Sequence, residues 1–368
     1  MAASKALDVV LFGATGFTGG LTAEYLARAS AERPFRWGIA GRSRDKLENV
    51  KARLVAIEPR AKDIELIVAD VDDEPSLHAM AARAKAVATT VGPYAKYGEA
   101  VVAACVAERA HYADLTGEPA FMSAMIDRYH ASAAAARVKI VHACGFDSIP
   151  HDLGAYFTLK ALRAEPSFDP SAPVRMEGVV RMNGDVSGGT WHSAIHAMSG
   201  FAKGLYEQLQ REKNATVVGD DRRVGALPPS IHRREDLGLW ALPMPTIDPQ
   251  IVRRSARLLP EYGADFRYGH YLGVRRLPAV AAVLAGAGTV FTLAHLAPTR
   301  KLLLSLKDPG EGPNEEQRAK NWFRVIFRAE AGSTTVTCEV RGKDPGYGET
   351  AKMLSESVLC LALDEART

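Results

Sequence analysis

Between residues 8 and 143, short apolar runs alternate with stretches in which apolar positions recur at helical spacing. The apolar runs cover residues 8–12, 35–40, 64–69, 86–91, 111–115 and 139–143, and the helical patterns cover residues 21–29, 45–57, 75–84, 98–109 and 120–136. Such an alternation is typical of a parallel sheet that carries helices on both faces. The sequence therefore predicts an α/β fold with a doubly wound, Rossmann-type parallel sheet.

The pattern changes after residue 163. Residues 164–173 are rich in proline, serine and acidic residues, as linkers are. We therefore predict a first domain at 1–163 and a second, α+β domain at 172–343. The elements expected after the linker are a strand at 174–181, a helix at 193–210, an irregular charged stretch at 214–234, a hairpin of 322–329 and 333–341, and a closing helix at 350–363.

One segment, residues 277–299, contains no aspartate, glutamate, lysine or arginine and lies between two basic pairs, Arg275–Arg276 and Arg300–Lys301. Its length would suffice to span a bilayer core of roughly 30 Å. Prolines, glycines and a large share of alanine favour a buried or dimer-forming segment instead. Contact with a membrane or an acyl chain stays open as the alternative.

A glycine-rich turn follows the first predicted strand and opens the first helix. Gly13 would let the chain turn sharply, Gly16 would let the backbone approach a pyrophosphate, and Gly19 would let the helix pack closely on the strand. The helix start would then offer free N–H groups to the anion. The predicted dinucleotide contacts in this turn are Gly13, Thr15, Gly16, Phe17, Thr18 and Gly19.

The end of the second strand indicates which dinucleotide is bound. NAD enzymes usually place a carboxylate there, about 20 residues after the glycines, whereas this chain has Arg42, Ser43 and Arg44. A guanidinium and a hydroxyl suit a 2′-phosphate, so NADP(H) is expected. The alternative is that the arginines are merely solvated. Asp70, at the end of the third strand, is placed near the adenine by the general position of ligands in this fold.

Composition changes this picture little. The chain has 368 residues, 47% apolar and 24% charged, which fits about two globular domains. A net charge of +3 without a basic cluster argues against a nucleic-acid partner. Cys105, Cys144, Cys338 and Cys360 form no metal-binding pattern, and we expect buried, reduced thiols. No signal peptide is evident before the first strand, so a cytoplasmic location is expected, with membrane association left open.

Several motifs resemble those of the saccharopine dehydrogenase-like oxidoreductases. They are Val91–Gly98 (VGPYAKYG), His111–Glu118 (HYADLTGE), Gly145–Gly154 (GFDSIPHDLG), Gly346–Met353 (GYGETAKM) and, less distinctly, Pro309–Pro313 (PGEGP). Within this group the chain looks most like bacterial trans-acting enoyl reductases. The resemblance implies that the second domain is an inserted α+β domain for substrate or dimerisation, and that residues 344–368 complete the interrupted Rossmann domain.

The same resemblance implies an NADPH-dependent oxidoreductase that reduces an enoyl double bond of a lipid or polyketide-type substrate. A homodimer is the assembly that the apolar segment 277–299 leaves open. Two alternatives stay open: a saccharopine dehydrogenase-like C–N oxidoreductase, and a non-catalytic NADP-binding sensor or lipid-associated protein.

Two predicted turns should border the nicotinamide, since ligands lie beyond the carboxyl ends of parallel strands. One contains Gly92, Pro93 and Tyr94, and the other Gly145, Phe146 and Asp147. Tyr94 and Tyr97 are candidate proton donors, and Asp147 or His151 could orient water or substrate. Each has a structural alternative, packing for Tyr94 and helix capping for Asp147 or Ser148. His192 and His196 lack a third ligand, so no metal is expected.

Overall fold

The computed structural model describes residues 5–184, 195, 217–218, 222–244, 246–306 and 312–365. The predicted helix at 193–210, apart from residue 195, and the pair His192 and His196 lie outside the described residues.

The predicted parallel sheet is present with six strands in the order β3-β2-β1-β4-β5-β6. The strands are β1 (Leu7–Phe12), β2 (Trp37–Gly41), β3 (Glu65–Val68), β4 (Ala84–Thr89), β5 (His111–Asp114) and β6 (Ile140–Val141). The helices between and after them are α1 (Phe17–Glu32), α2 (Arg44–Ile57), α3 (Glu74–Arg83), α4 (Tyr94–Ala107), α5 (Pro119–Ala136) and α6 (Ile149–Ala164). This strand order is that of a Rossmann fold, and its switch point lies between β1 and β4.

Helices cover both faces of this sheet, because its strands are apolar on both sides. One buried cluster joins the sheet to α1, α2 and the last helix of the chain, α11 (Gly348–Leu363), through residues such as Leu26, Leu47 and Leu354. The other cluster joins it to α3, α4 and α5. The closing helix thus returns to the Rossmann sheet, as the motif resemblance implied.

A second, mixed sheet of eight strands follows the linker. Its main path is β10-β11-β12-β7-β13-β14, and β9 pairs with β12 and β8. The strands are β7 (Val174–Asn183), β8 (Val217–Val218), β9 (Arg222–Ala226), β10 (His232–Arg234), β11 (Leu239–Pro243), β12 (Asp265–Val274), β13 (Trp322–Ala331) and β14 (Thr334–Gly342). The predicted hairpin is β13–β14, and Gly332 at its turn has a φ of +57°. The expectation of an irregular stretch at 214–234 is wrong where it is described, since β9 and β10 lie there and pair with neighbouring strands.

The remaining helices belong to this second part of the chain. They are α7 (Asp248–Leu258), α8 (Leu277–His295), α9 (Ala297–Leu304) and α10 (Glu315–Ala319). Helix α6, which the predicted boundary at residue 163 assigns to the first domain, packs on the second sheet: a Cβ at Gly154 would overlap the ring of Phe327. The boundary itself stays a prediction, and α6 forms the bridge between the two sheets.

Two expectations about burial are wrong in part, and a dimer-forming role of residues 277–299 stays a prediction. Helix α8 is exposed, with only Val280 and Ala294 buried among its residues, so the segment does not enter the core of this chain. Cys105 and Cys144 are buried free thiols, whereas Cys338 is half-buried and Cys360 is exposed. The apolar composition of α8 therefore needs an explanation outside the two sheets.

Candidate functional site

The turn between β1 and α1 has the backbone that its glycines require. Gly13 has a φ of +95°, and a Cβ there would lie 2.7 Å from Oγ1 of Thr90. A Cβ at Gly19 would overlap the carbonyl oxygen of Gly13, so the helix approaches the strand only without a side chain at this position. Gly16 is exposed, and a Cβ there would have one described neighbour within 4 Å, the Gly13 carbonyl oxygen at 3.4 Å. Gly16 thus leaves open the surface that a pyrophosphate would approach.

The N-terminus of α1 is open to an anion. No side chain caps this helix, and Thr15 and Gly16 before it are exposed, while Thr18 in its first turn is half-buried. The ring of Phe17 instead packs edge-on against Tyr347, with centroids 5.0 Å apart. The side chain of Phe17 therefore holds the closing segment of the chain against α1, and the backbone N–H groups of this helix turn are its ligand-binding part.

After β2, the three predicted phosphate contacts have different surroundings. Arg42 is exposed and forms neither a hydrogen bond nor an ion pair within the described part of the chain. Ser43 caps α2, since its Oγ accepts a bond of 3.4 Å from the N–H of Lys46. Arg44 pairs with Glu48 at 3.1 Å. Arg42 is therefore the cation available for a 2′-phosphate. Arg44 matches the alternative, since it is exposed to solvent and paired within its own helix.

Asp70 follows β3 and shapes its own turn. Its Oδ1 accepts a hydrogen bond of 3.2 Å from the N–H of Asp72, and the side chain is half-buried. A contact with adenine stays a prediction for this residue.

The turn after β4 brings an exposed Gly92 and a half-buried Pro93 to the carboxyl edge of the sheet. Tyr94 is buried: its hydroxyl donates to the Thr89 carbonyl oxygen at 3.1 Å and accepts from the Leu115 N–H at 3.2 Å. These bonds tie the ends of β4 and β5 together, which favours the packing alternative for Tyr94. Tyr97 is half-buried and has the Lys96 ammonium 4.7 Å from its ring centroid.

Carboxylates that the sequence analysis did not single out organise the neighbouring turn. Glu118 accepts hydrogen bonds of 2.8 Å from the N–H groups of both Tyr94 and Ala95, and so occupies the N-terminus of α4. Asp114 is fully buried and accepts from Tyr112, Thr116, His142 and Ala143. Asp114 and Glu118 therefore stabilise the turns after β4 and β5. Because Glu118 already fills the N-terminus of α4, the N-terminus of α1 is the candidate anion site.

The turn after β6 presents Asp147 to solvent. The Oδ2 atom of Asp147 lies 3.3 Å from the position of a Cβ on Gly117, so the absent side chain makes room for the carboxyl group. The expected capping is wrong: Ser148 is the N-cap residue of α6 but its side chain caps nothing, and its hydroxyl donates to the Ala143 carbonyl oxygen. Dense protein surroundings raise the pKa of Asp147 above its ordinary value.

The returning segment of the chain holds this turn in place. The hydroxyl of Thr350 accepts a 3.0 Å bond from the Phe146 N–H and donates to the Pro345 carbonyl oxygen at 2.8 Å. The late motif around Gly346–Met353 therefore acts on the turn that carries Asp147.

Behind Asp147, three buried polar side chains form what we name the polar cluster: His151 of α6, Asp248 of α7 and His270 of β12. The Nε2 atoms of His151 and His270 lie 3.2 and 3.6 Å from the two carboxyl oxygens of Asp248. The imidazole rings meet edge-on with centroids 4.9 Å apart. Sequence analysis placed only His151 in the site, since the other two come from the inserted domain.

Burial controls the charge of the polar cluster. It lowers the pKa of His270 to about 3 and, with a smaller contribution from His270, holds the pKa of His151 well below its ordinary value. Burial, and secondly the charge of Asp147, raise the pKa of Asp248 well above its ordinary range. All three are thus favoured in their neutral forms.

Donor atoms of the cluster lie within 4.8 Å of one another, and it is the group among the described residues that could hold a metal ion. His270 also exchanges a 3.2 Å hydrogen bond through Nδ1 with the Tyr268 hydroxyl, and Thr246 donates to Asp248. Three atoms of the cluster, Nδ1 of His151, Oδ1 of Asp248 and Nε2 of His270, have no hydrogen-bond partner among the described residues.

Comparison with known proteins identifies the family. Residues 9–141 match the model of the saccharopine dehydrogenase NADP binding domain. A Mycobacterium tuberculosis relative, named provisionally as a trans-acting enoyl reductase, is 37% identical across 99% of this chain and 90% of its own length. The trans-acting enoyl reductase of Mycobacterium leprae is 35% identical across 99% and 90%. The chain belongs to the trans-acting enoyl reductase family of saccharopine dehydrogenase-like proteins.

Membership of this family confirms the motif resemblance, and the NADP-binding match confirms NADP(H) as the cofactor of an oxidoreductase. Among solved structures, the apo saccharopine dehydrogenase (L-Glu forming) of Saccharomyces cerevisiae is 13% identical, covers 95% of this chain and 89% of its own, and has a TM-score of 0.49. The individual cofactor contacts and catalytic residues of this chain stay predictions. The geometry described above gives the candidates.

Proposed function

We propose that this chain reduces the activated carbon–carbon double bond of an acyl substrate with NADPH. The main observation in support is the position of Asp147. This exposed carboxyl group lies at the carboxyl edge of the parallel sheet, against Gly117 and in front of the buried polar cluster. Ligands of this fold lie at that edge. The names of the relatives point to enoyl substrates.

Conjugate reduction requires a hydride at the β-carbon and a proton at the α-carbon. The bound NADPH supplies the hydride, and one proton is consumed for each NADPH oxidised. We assign the proton donation to Asp147, because a carboxyl group with a raised pKa is protonated in a larger fraction of molecules near neutral pH. Asp248, which lies behind it and is coupled to its charge, is a positioning residue.

The neutral state of the polar cluster suits an uncharged, apolar double bond. A buried charge beside the substrate would have to be desolvated or paired, at a cost in binding. Neutral imidazoles and a protonated Asp248 avoid that cost while they keep a supply of exchangeable protons behind Asp147.

Oxidation of NADPH in the presence of 2-enoyl thioesters of increasing chain length tests the proposal. Turnover with enoyl thioesters, and none with a 2-oxo acid plus an amino acid, would support it. Turnover with the second pair alone would favour a C–N oxidoreductase. Tight NADPH binding without turnover on either panel would favour a non-catalytic sensor.

We also propose that the exposed helices α8 and α9 contact a lipid surface. Helix α8 is long and apolar enough by composition to cross a membrane. Leu284 is 50% exposed and Leu302 in α9 is 64% exposed. Exposed apolar surface of this extent marks an interaction site. The basic pairs Arg275–Arg276, just before α8, and Arg300–Lys301, within α9, suit anionic head groups.

The strand pairing argues against a bilayer-spanning helix here. Leu272, near the end of β12, is paired with Val180 of β7, and Trp322, at the start of β13, is paired with Asn183 of the same strand. Both ends of the excursion 275–321 therefore return to one end of one sheet, so they lie on the same side of any membrane. We infer a helix that lies in the interface, with basic residues at the level of the head groups.

Flotation with vesicles tests this contact. We expect the protein to float with vesicles that contain phosphatidylglycerol more than with pure phosphatidylcholine, and the double variant Leu284→Asp/Phe291→Asp to remain at the bottom. Ile231→Asp, which changes an apolar residue 48% exposed elsewhere, is the matched control. A concentration-dependent dimer that the double variant abolishes, without flotation of the wild type, would assign this surface to a homodimer instead.

A further inference from the structure

A cavity lies away from the glycine-rich turn, along the free edge of the Rossmann sheet. We name it the edge cavity. It has a volume of about 790 Å³ and runs beside β6, between helices α5 and α7. Because β6 pairs only with β5 among the described strands, no further strand closes this edge of the sheet. A volume of this size is in the range of small-molecule sites.

Buried polar atoms without partners line the edge cavity. The side chain of His142 is 5% exposed; its Nδ1 lies 2.6 Å from Oδ2 of Asp114, and its Nε2 has no hydrogen-bond partner among the described residues. Oδ1 of Asp152 is likewise unpartnered, while Oδ2 accepts from Ser255 at 2.9 Å. Buried polar atoms are rarely left unpaired in folded proteins, so these atoms point to a missing ligand or water.

The charged residues of the cavity are mainly basic. Arg254 of α7 is half-buried in its wall and forms no hydrogen bond or ion pair within the described residues. Arg137 and Lys139 lie on the segment that leads into β6, and Asp152 is the acidic residue of the lining. A guanidinium held in a wall that excludes part of the solvent is a strong site for a carboxylate or another oxyanion.

The rest of the wall is apolar. Met125 and Ile126 of α5 line it together with Ile251 and Leu258 of α7. Methionine and branched aliphatic side chains adapt to a flexible hydrocarbon chain. The lining thus combines an apolar trough with a cationic wall, which is the pattern expected of a site for an amphipathic anion.

We propose that the edge cavity binds a free carboxylate that carries a hydrocarbon chain, with Arg254 contacting the carboxylate and the α5–α7 walls contacting the chain. The site is separate from the proposed reaction site, since neither the glycine-rich turn nor the turn that bears Asp147 contributes a residue to its lining. Its ligand therefore binds beside NADPH and does not compete with it. The proposal goes beyond the proposed function and stands without it.

Calorimetric titration of the full chain with dodecanoate, with and without NADPH, tests the proposal. We expect saturable binding of dodecanoate at one site, unaffected by NADPH, and much weaker binding of the equally long dodecanol and of the cation dodecyltrimethylammonium. Arg254→Met keeps most of the apolar stem and removes the charge, so it should weaken dodecanoate binding by about tenfold. Lys62→Met, an exposed cation beside β3 at the opposite edge of the sheet, should leave it unchanged.

A variant that fills the cavity gives an independent readout. Ala134 lines the cavity and is exposed, so Ala134→Phe should fold, bind NADPH as the wild type does and lose dodecanoate. Equal binding of dodecanoate and dodecanol, or no effect of either Arg254→Met or Ala134→Phe, would overturn the proposal. Loss of NADPH oxidation with dodecanoate binding intact would contradict only the proposed reductase function.

Discussion

Nε2 of His151 lies 3.2 Å from Oδ1 of Asp248, and both residues are no more than 2% exposed. The first comes from the helix that leaves the Rossmann sheet and the second from the start of α7 in the inserted domain. The contact therefore joins the two parts of the chain at the proposed reaction site. Because burial of an unpaired charge is costly, folding and protonation are coupled at this contact.

His270 makes this coupling measurable. The unfolded chain gains a proton at this residue below about pH 6.5, whereas the folded chain gains it only near pH 3. The unfolded state thus binds more protons in this window, and each pH unit below 6.5 removes about 1.4 kcal/mol of stability through this group. His270→Gln should be less stable than the wild type at pH 7.5, and the difference should shrink as the pH falls to 5.

Urea unfolding of both proteins at pH 7.5, 6.0 and 5.0 measures the effect. A difference in unfolding free energy that stays constant over this range would show that His270 does not carry the predicted shift. Addition of EDTA at pH 7.5 separates the two uses of the polar cluster: a hydrogen-bonded cluster is insensitive to the chelator, whereas a bound metal ion would make the wild type less stable on its removal.

Asp147→Asn tests the assigned proton donor. The amide keeps the size of the side chain and cannot donate an acid proton, so turnover of the enoyl thioester should fall by about 100-fold or more while NADPH binding is retained. Stopped-flow oxidation of NADPH and fluorescence titration measure the two quantities. Asp63→Asn, an exposed carboxylate at the far edge of the Rossmann sheet, is the matched control. Unchanged turnover in Asp147→Asn would remove Asp147 from the reaction.

The Rossmann half of the molecule could be predicted because its signals are local. Six apolar runs gave six strands, and the conformation at Gly13 follows from the tight turn that a strand–helix junction needs. The hairpin was equally readable, since Gly332 supplies a positive φ between two alternating strands.

The polar cluster could not be predicted, because its members meet only after the two sheets are joined. Asp248 precedes a proline at the start of a helix, where an acidic residue is common for local reasons, and His270 lies inside a strand. For Tyr94 the sequence predicted a role that the structure does not favour. Its position after β4 indicated a reactive hydroxyl, but this hydroxyl donates to the Thr89 carbonyl oxygen and accepts from the Leu115 N–H. The exposure of α8 could not be predicted either, because a helix that packs in the protein core and one that contacts lipid have the same apolar sequence pattern.

Gly16 and Gly20 give a matched pair in the glycine-rich turn. A Cβ at Gly16 would meet only the Gly13 carbonyl oxygen at 3.4 Å, and one at Gly20 would lie 3.5 Å from the flexible end of Arg53. Both alanine variants should therefore fold. Gly16→Ala should lose NADPH binding by about tenfold or more, because the added methyl group stands where the pyrophosphate approaches, and Gly20→Ala should not. Fluorescence titration checks binding, and thermal unfolding checks that both proteins are folded; equal affinities would place the pyrophosphate elsewhere.

Arg42 and Arg44 separate recognition of the 2′-phosphate from local helix stabilisation. Arg42 is unpaired among the described residues, whereas Arg44 lies 3.1 Å from Glu48 in the first turns of α2. Loss of a charge-assisted contact costs about 1.5–3 kcal/mol, or roughly 10- to 100-fold in affinity. Arg42→Met should weaken NADPH by that factor and leave the weak NADH binding unchanged. Arg44→Met should shift NADPH affinity by less than about threefold, because exposed helix pairs contribute little. Parallel titrations with NADPH and NADH at fixed ionic strength test this prediction. An equal loss of affinity for both dinucleotides in Arg42→Met would mean that this arginine stabilises the turn and does not bind the 2′-phosphate.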